Sequence, residues 1–330
     1  ATIVEAVADR IVRREIAPQS ILVLTYSRRA AAELTERIAG RVDITTTEPM
    51  VRTLHSYAYA LLRSSAAATG APAPSLLPAG QADLMVREIL AGHAEAGGAY
   101  WPPAFHAALR VPAFAAELRD LMLRAAERHL TPKRMAALGE RHRRPEWVAA
   151  ARFIDEYRDI ADLRQGTTRR GAKLDQAELI AAALGALTDP GVLATQRERV
   201  RRVFVDEFQD VDPAQAALIE TIAAGADELV VVGDPDQSIY AFRGAAPGVL
   251  DRVEVDRTVT LTVCRRMPVA LLEATRRVAS AIPGTRAHRD LRAPADQVAG
   301  QVEARIFRTA RQEAAYVADQ LRRARVERGI

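Results

Sequence analysis

Cysteine is almost absent. Cys264 is the single one in 330 residues, so no internal disulfide forms, and with neither a CxxC nor an HxxxH spacing the six histidines lack a zinc-site pattern. Long apolar runs are missing as well. No segment approaches the roughly 20 uninterrupted apolar residues that a membrane-spanning helix needs, and the opening ATIVEAVADRIVRRE interleaves charge instead of forming a signal peptide. The expected setting is the cytoplasm, away from membranes. Lysine is scarce: of 46 basic residues all but Lys133 and Lys173 are arginine, a bias that genome base composition explains as readily as phosphate recognition does. Because 42 acidic residues offset these cations, the net charge of +4 favours an anionic partner only mildly. What is present is ordinary: 49% hydrophobic and 27% charged residues describe a globular protein of roughly two domains, with enough chain to bury its own cores.

Ile3, Val4, Val7, Ala8, Ile11 and Val12 share one helix face, so the chain opens on an amphipathic helix. ILVLT at 21–25 is a short run of branched residues suited to a strand buried on both faces, and RRAAAELTERIAG follows as a helix closed by Gly40. The unit recurs at RVFVDEFQD, with a strand at Val203–Val205, a capping box of Asp212 and Gln215 around Pro213, and Gly225 at the helix end. ELVVVGD supplies a further strand at 228–234. Alternating strands and helices of this kind predict an α/β fold with a parallel sheet that binds ligands beyond the carboxyl ends of its strands. Residues 71–199 differ: they are alanine-rich and mostly helical in period, and they read as an inserted lobe. The first domain is therefore expected from 1–70 and 200–250. After 251 a second α/β domain is expected to begin, with strands at TVTLTV and EARIFR and helices at PVALLEATRRVASAI and ARQEAAYVADQLRRARVER.

VFVDEFQD carries the most chemistry, because an apolar strand delivers two adjacent carboxylates, Asp206 and Glu207, to the edge where a nucleotide would sit. In nucleoside triphosphate hydrolysis one such group holds Mg²⁺ and another orients the attacking water. Asp206 suits the metal and Glu207 the water.

DEFQD followed by VVVGDPDQSIYAFRGA resembles two motifs of the UvrD/Rep/PcrA family of superfamily 1 DNA helicases, to which RecB-type helicase-nucleases also belong. Further segments are similar to family motifs in family order: LTYSRRAAAEL at 24–34, RTLHSYAYALLR at 52–63, LDQAELI at 174–180 and LTVCRRMP at 261–268. The resemblance implies a RecA-like motor domain interrupted by an all-helical lobe, followed by the start of a second RecA-like domain, with ATP and Mg²⁺ as cofactors. It implies that Gln237 senses the γ-phosphate and that Arg266 contacts it from the second motor domain, coupling hydrolysis to domain closure. Arg265 stands where the family stacks a tyrosine on adenine; its guanidinium is planar but chemically different. For DNA the resemblance names Tyr26, Ser27, Arg28, Thr53, His55, Phe242 and Arg243, in which aromatic faces stack on bases while hydroxyls and cations hold phosphates. The basic stretches at 141–147 and 164–171 are expected to be solvated loops.

The implied activity is ATP-dependent helicase or translocase action, 3′ to 5′ on single-stranded DNA and at single/double-strand junctions, in repair or recombination. The arginine-rich character and the CRRMP variant are similar to the actinobacterial AdnAB-like helicase-nuclease branch, which would bring a partner subunit. No GxxxxGK[ST] phosphate loop occurs in these residues. The opening helix resembles the one that follows that loop, so the chain is expected to start just after it, to stop before the last motor motifs, and not to hydrolyse ATP alone. Two rivals differ in class. A noncatalytic subunit gripping single-stranded DNA has no need of Asp206, Glu207, Gln237 and Arg266 together; a metabolic P-loop kinase has no need of the aromatic DNA motifs.

Overall fold

The computed structural model describes residues 2–42, 50–166, 171–239, 245, 248–283 and 287–329. The chain forms two compact units, Ala1–Val253 and Glu254–Ile330. The first unit runs α1 (Thr2–Val12), β1 (Ile21–Thr25), α2 (Arg28–Ala39), β2 (Val51–Thr53) and α3 (Leu54–Thr69), then β3 (Ser75–Leu76), α4 (Ala79–Glu95), α5 (Pro112–Glu127), α6 (Pro132–Arg141), α7 (Pro145–Gly166) and β4 (Lys173–Leu174). It closes with α8 (Gln176–Ala186), α9 (Pro190–Arg199), β5 (Arg202–Val205), α10 (Pro213–Ala223) and β6 (Glu228–Val231).

Four strands pair in the order β2-β1-β5-β6, every pair parallel, with Val23 opposite both Val51 and Phe204. β1 is buried along its whole length because both faces are covered. Ile21, Val23 and Phe204 pack on one face against Ile3, Val4, Val7 and Ile11 of α1 and Leu34 and Ile38 of α2. Leu22, Leu24, Val203 and Val205 pack on the other against α3, α8 and α10, including Leu61, Leu179 and Leu218. Val12, expected on the buried stripe of α1, is exposed.

This arrangement decides where a ligand can go. After β1 the chain passes to α2 on one face; after β5 it passes to α10 on the opposite face. Connections that leave adjacent strands in opposite directions open a crevice at their carboxyl ends, the switch point of an open parallel sheet. α1 also aims at that edge. Its last turn is held at the amino end of β6 by Arg10, which pairs with Glu228, and a helix of 11 residues, about 16 Å long, spans the sheet so that its start lies toward the carboxyl edge.

Helices α4 to α7 build a separate core around Phe153, Leu90, Trp101 and Met135; α8 and α9, expected in the same inserted lobe, pack instead on the sheet core through Leu179, Ile180, Ala183 and Leu187. The separate core's one buried imidazole is fully used: Trp101 Nε1 donates to His93 Nδ1 at 3.0 Å, and His93 Nε2 lies 3.0 Å from Glu156. β3 and β4 pair at the point where the chain leaves and returns. α8 begins with a reciprocal capping box, Glu178 N–H donating to Asp175 Oδ1 at 2.8 Å and Asp175 N–H to Glu178 Oε2 at 2.9 Å. The box expected at α10 is half formed: Gln215 N–H donates to Asp212 Oδ1 at 2.9 Å, but the buried Gln215 Oε1 finds no partner among the described residues. Neither Gly40 nor Gly225 is left-handed, so these helices end without the αL cap their glycines predict.

No single helix among the described residues is long and apolar enough to cross a membrane; α8 and α9 together have the composition, but the chain bends by 97° between them and both pack around the sheet core.

The second unit contains α11 (Val269–Ser280) and α12 (Ala310–Arg328). The strands expected at 258–263 and 303–308 do not form. A single parallel bridge joins Val263 to Arg292, and Val259 and Ile306 are 65% and 101% exposed. The reason is physical: an isolated extended segment has no ladder partner for its N–H and C=O groups and no face to cover its apolar side chains.

Candidate functional site

Asp206 and Glu207 follow β5 directly, at the crevice. The Asp206 N–H donates to Leu24 O at 2.8 Å, fixing its backbone against the end of β1. The Asp206 carboxyl is half-buried, and that burial, reinforced by the Glu207 charge, holds it above the ordinary carboxylate range. A half-buried carboxylate beside a second acid offers the hard oxygen donors that Mg²⁺ takes. Asp206 therefore fits the implied cation, which would neutralise charge on phosphate oxygens there.

Glu207 has φ 53°, a left-handed conformation that costs a non-glycine residue of order 1 kcal/mol or more. The turn that enforces it belongs to the next strand. Val232 N–H donates to Val205 O at 2.8 Å and Phe208 N–H to Val232 O at 3.0 Å, which locks residues 206–208 beside the end of β6. Gln209, buried beneath this turn, donates from Nε2 to Glu207 Oε2 at 2.7 Å and accepts at Oε1 from Asp234 N–H at 3.0 Å. Asp234 in turn accepts from Gln237 Nε2 at 2.7 Å and from Asp236 N–H at 3.0 Å. The structure thus brings Glu207 and Gln237 into one hydrogen-bonded chain, through two residues that motif reading quoted without assigning a role. A signal was present: Gly233 precedes Asp234, and a Cβ there would stand 2.6 Å from Gln209 Oε1.

The residues proposed for DNA split into groups. Ser27 and Thr53 are helix N-caps, accepting from Ala30 N–H and Ser56 N–H at 3.1 Å each. Tyr26 and Arg28 are exposed just beyond β1. His55 is half-buried, and desolvation lowers its pKa. Tyr26, His55 and Thr25 line a cavity of about 870 Å³, together with Glu127, Asp210 and Asp212. Burial, then Glu207, raises Asp210 to about 6, and neither its Oδ1 nor Thr25 Oγ1 has a partner among the described residues. The lining thus sets the Tyr26 ring beside acidic side chains and Arg124. Phe242 and Arg243 lie outside the described residues, as does Tyr240. In the second unit Arg265 and Arg266 are exposed in a bend, and Cys264 is half-exposed, its N–H donating to Arg292 O at 2.8 Å.

A parallel sheet covered on both faces, with paired acids at its switch point and a glutamine turn on the adjacent strand, places the chain in the RecA-like α/β class. The profile of the UvrD/REP helicase N-terminal domain matches residues 1–257, and the chain belongs to that family. It is 27% identical to DNA helicase II of Escherichia coli (strain K12) over 229 residues, 69% of this chain and 29% of that protein. It is 29% identical to the ATP-dependent DNA helicase UvrD1 of Mycobacterium tuberculosis (strain ATCC 25618 / H37Rv) over 303 residues, 88% of this chain and 37% of that protein. A stretch of 93 residues, 28% of this chain, is 40% identical to 8% of the RecBCD enzyme subunit RecB of Mycobacterium tuberculosis (strain CDC 1551 / Oshkosh). The chain spans about a third of the length of the two helicases it matches.

Proposed function

We propose that the protein containing this chain is an ATP-driven helicase that moves 3′ to 5′ on single-stranded DNA in repair or recombination. The carrying observation is the hydrogen-bonded chain from Glu207 through Gln209 and Asp234 to Gln237, at the switch point of a sheet in a UvrD/REP-type domain. Asp206 would hold Mg²⁺, which supplies charge neutralisation to the phosphates. Glu207 orients the attacking water and accepts its proton. Gln237 reads the γ-phosphate, and Arg265 and Arg266 serve the base and the phosphates. Tyr26, with Phe242, stacks on unpaired bases, a sequence-tolerant contact; Arg28, Ser27, Thr53, His55 and Arg243 accompany the strand and its phosphates. A helicase-nuclease partner subunit is part of this reading on the strength of the RecB likeness.

The test is Glu207→Gln in the full-length protein. DNA-stimulated ATP turnover is expected to fall by roughly 10²-fold or more, with single-stranded DNA and ATP affinities retained in equilibrium titrations. Near-normal turnover would overturn the assignment, and a wild-type protein that binds DNA without any turnover would mark a gripping subunit instead.

A further inference from the structure

We propose that Gln209 is the positioning residue of this site, holding the Glu207 carboxylate in register with the turn that carries Gln237; the inference rests on the role of Glu207 proposed above. Glu207 is exposed, and a glutamate side chain at the surface samples several rotamers. Gln209 is 3% exposed and cannot follow it. Its amide plane is pinned at the other end because Asp234 N–H can only donate, which assigns Oε1 to Asp234 and leaves Nε2 to face Glu207. Its main-chain oxygen accepts from Ser238 Oγ at 3.1 Å, so three bonds tie this one residue to both segments. An amide is the side chain of this length that offers a donor and an acceptor on one rigid plane; a carboxylate donates nothing and an ammonium accepts nothing. Gly233 keeps the approach open. Movement of the Asp234–Gln237 turn, where Gln237 is bound through Asp234 Oδ2, is therefore passed to Glu207 through a buried link.

Two substitutions separate positioning from mere support of the fold. Gln209→Glu preserves shape and the acceptor for Asp234 N–H and, once ionised at alkaline assay pH, removes the donor to Glu207 and sets a second carboxylate beside it. Gln209→Met preserves length and removes both bonds. In the full-length protein each is expected to lower kcat for ATP about 10- to 100-fold, while KM for ATP moves by less than about twofold. In the chain itself, hydrogen exchange at the Asp234 amide is expected to stay slow in Gln209→Glu and to become fast in Gln209→Met. Turnover of Gln209→Glu close to wild type would overturn the inference, as would a kcat loss that appears only alongside a raised KM and a lowered melting temperature. Glu207→Gln is the control: if it abolishes turnover while Gln209→Glu does not, the link alone is wrong; if Glu207→Gln is itself active, the reading of the site falls first.

Discussion

Residues Ala1–Val253 and Glu254–Ile330 are written in the same style, short branched apolar runs alternating with amphipathic helices, yet among the described residues only the first turns its runs into a sheet. In the first unit β5 has a parallel neighbour on each edge and a helical layer on each face, so Phe204 is fully buried. In the second unit, Ile306 sits in an equally strand-like segment and is wholly exposed. The difference teaches that a branched apolar run confers only the capacity to be a strand. Ladder partners and covering faces, both supplied by distant residues, decide whether that capacity is used.

The sharpest way to break this contrast is truncation. Phe204→Ala is expected to cost about 3–5 kcal/mol in urea denaturation, whereas Ile306→Ala should stay within about 0.5 kcal/mol. Equal losses would mean that both segments are packed alike. Hydroxyl deletions sharpen it next. Tyr57 donates to Gln196 Oε1 at 2.9 Å inside the first unit, so Tyr57→Phe strands a buried amide oxygen and should cost about 1–3 kcal/mol; Tyr316→Phe removes only an exposed 3.4 Å contact to Glu303 and should leave the melting temperature unchanged.

The smallest effect is in pH dependence. Burial raises Glu127 from the ordinary 4.5 to about 7, with the Arg124 and Arg128 charges opposing and Asp212 adding to the shift. Between these values the unfolded chain releases a proton that the folded chain keeps, so stability falls as pH rises through the window. One proton bounds the slope at about 1.4 kcal/mol per pH unit, and partial solvent access reduces it. Glu127→Gln should flatten that part of the profile. Asp319 in the second unit behaves oppositely: its hydrogen bond from Arg322, and the nearby charge of Arg323, hold it below its ordinary 3.8, so it titrates outside the window and Asp319→Asn should change nothing there. Profiles compared by calorimetry would decide the matter.

Much of the candidate site's placement was legible residue by residue. Asp206 and Glu207 could be picked out because a run of Val and Phe ending in two acids says both where the strand stops and what chemistry it presents. Gln237 and the aromatic Tyr26 were named as candidates through motif order alone. Gln209 was not, since an amide two residues beyond Glu207 reads as one more polar side chain until a strand 25 residues further on brings Asp234 to it. Ser27 and Thr53 were legible as polar residues before helices, but their capping bonds compete with the phosphate role that motif matching assigned to them. The cleft around Tyr26 was illegible, because its carboxylates arrive from α5 and from the turn between β5 and α10, far apart in the chain.

Residue order by itself marked the βα alternation, the burial of β1 on both faces and the acids at the end of β5, because each depends on chemistry within a few positions. Tertiary structure alone decided that β1 and β5 flank the switch point, that Glu207 is bound through a buried amide to a turn on the adjacent strand, and that the runs at 258–263 and 303–308 build no sheet, Val263 making one bridge to Arg292. These depend on contacts between residues distant in sequence, where the entropy of closing long loops must be met by packing that no local pattern encodes.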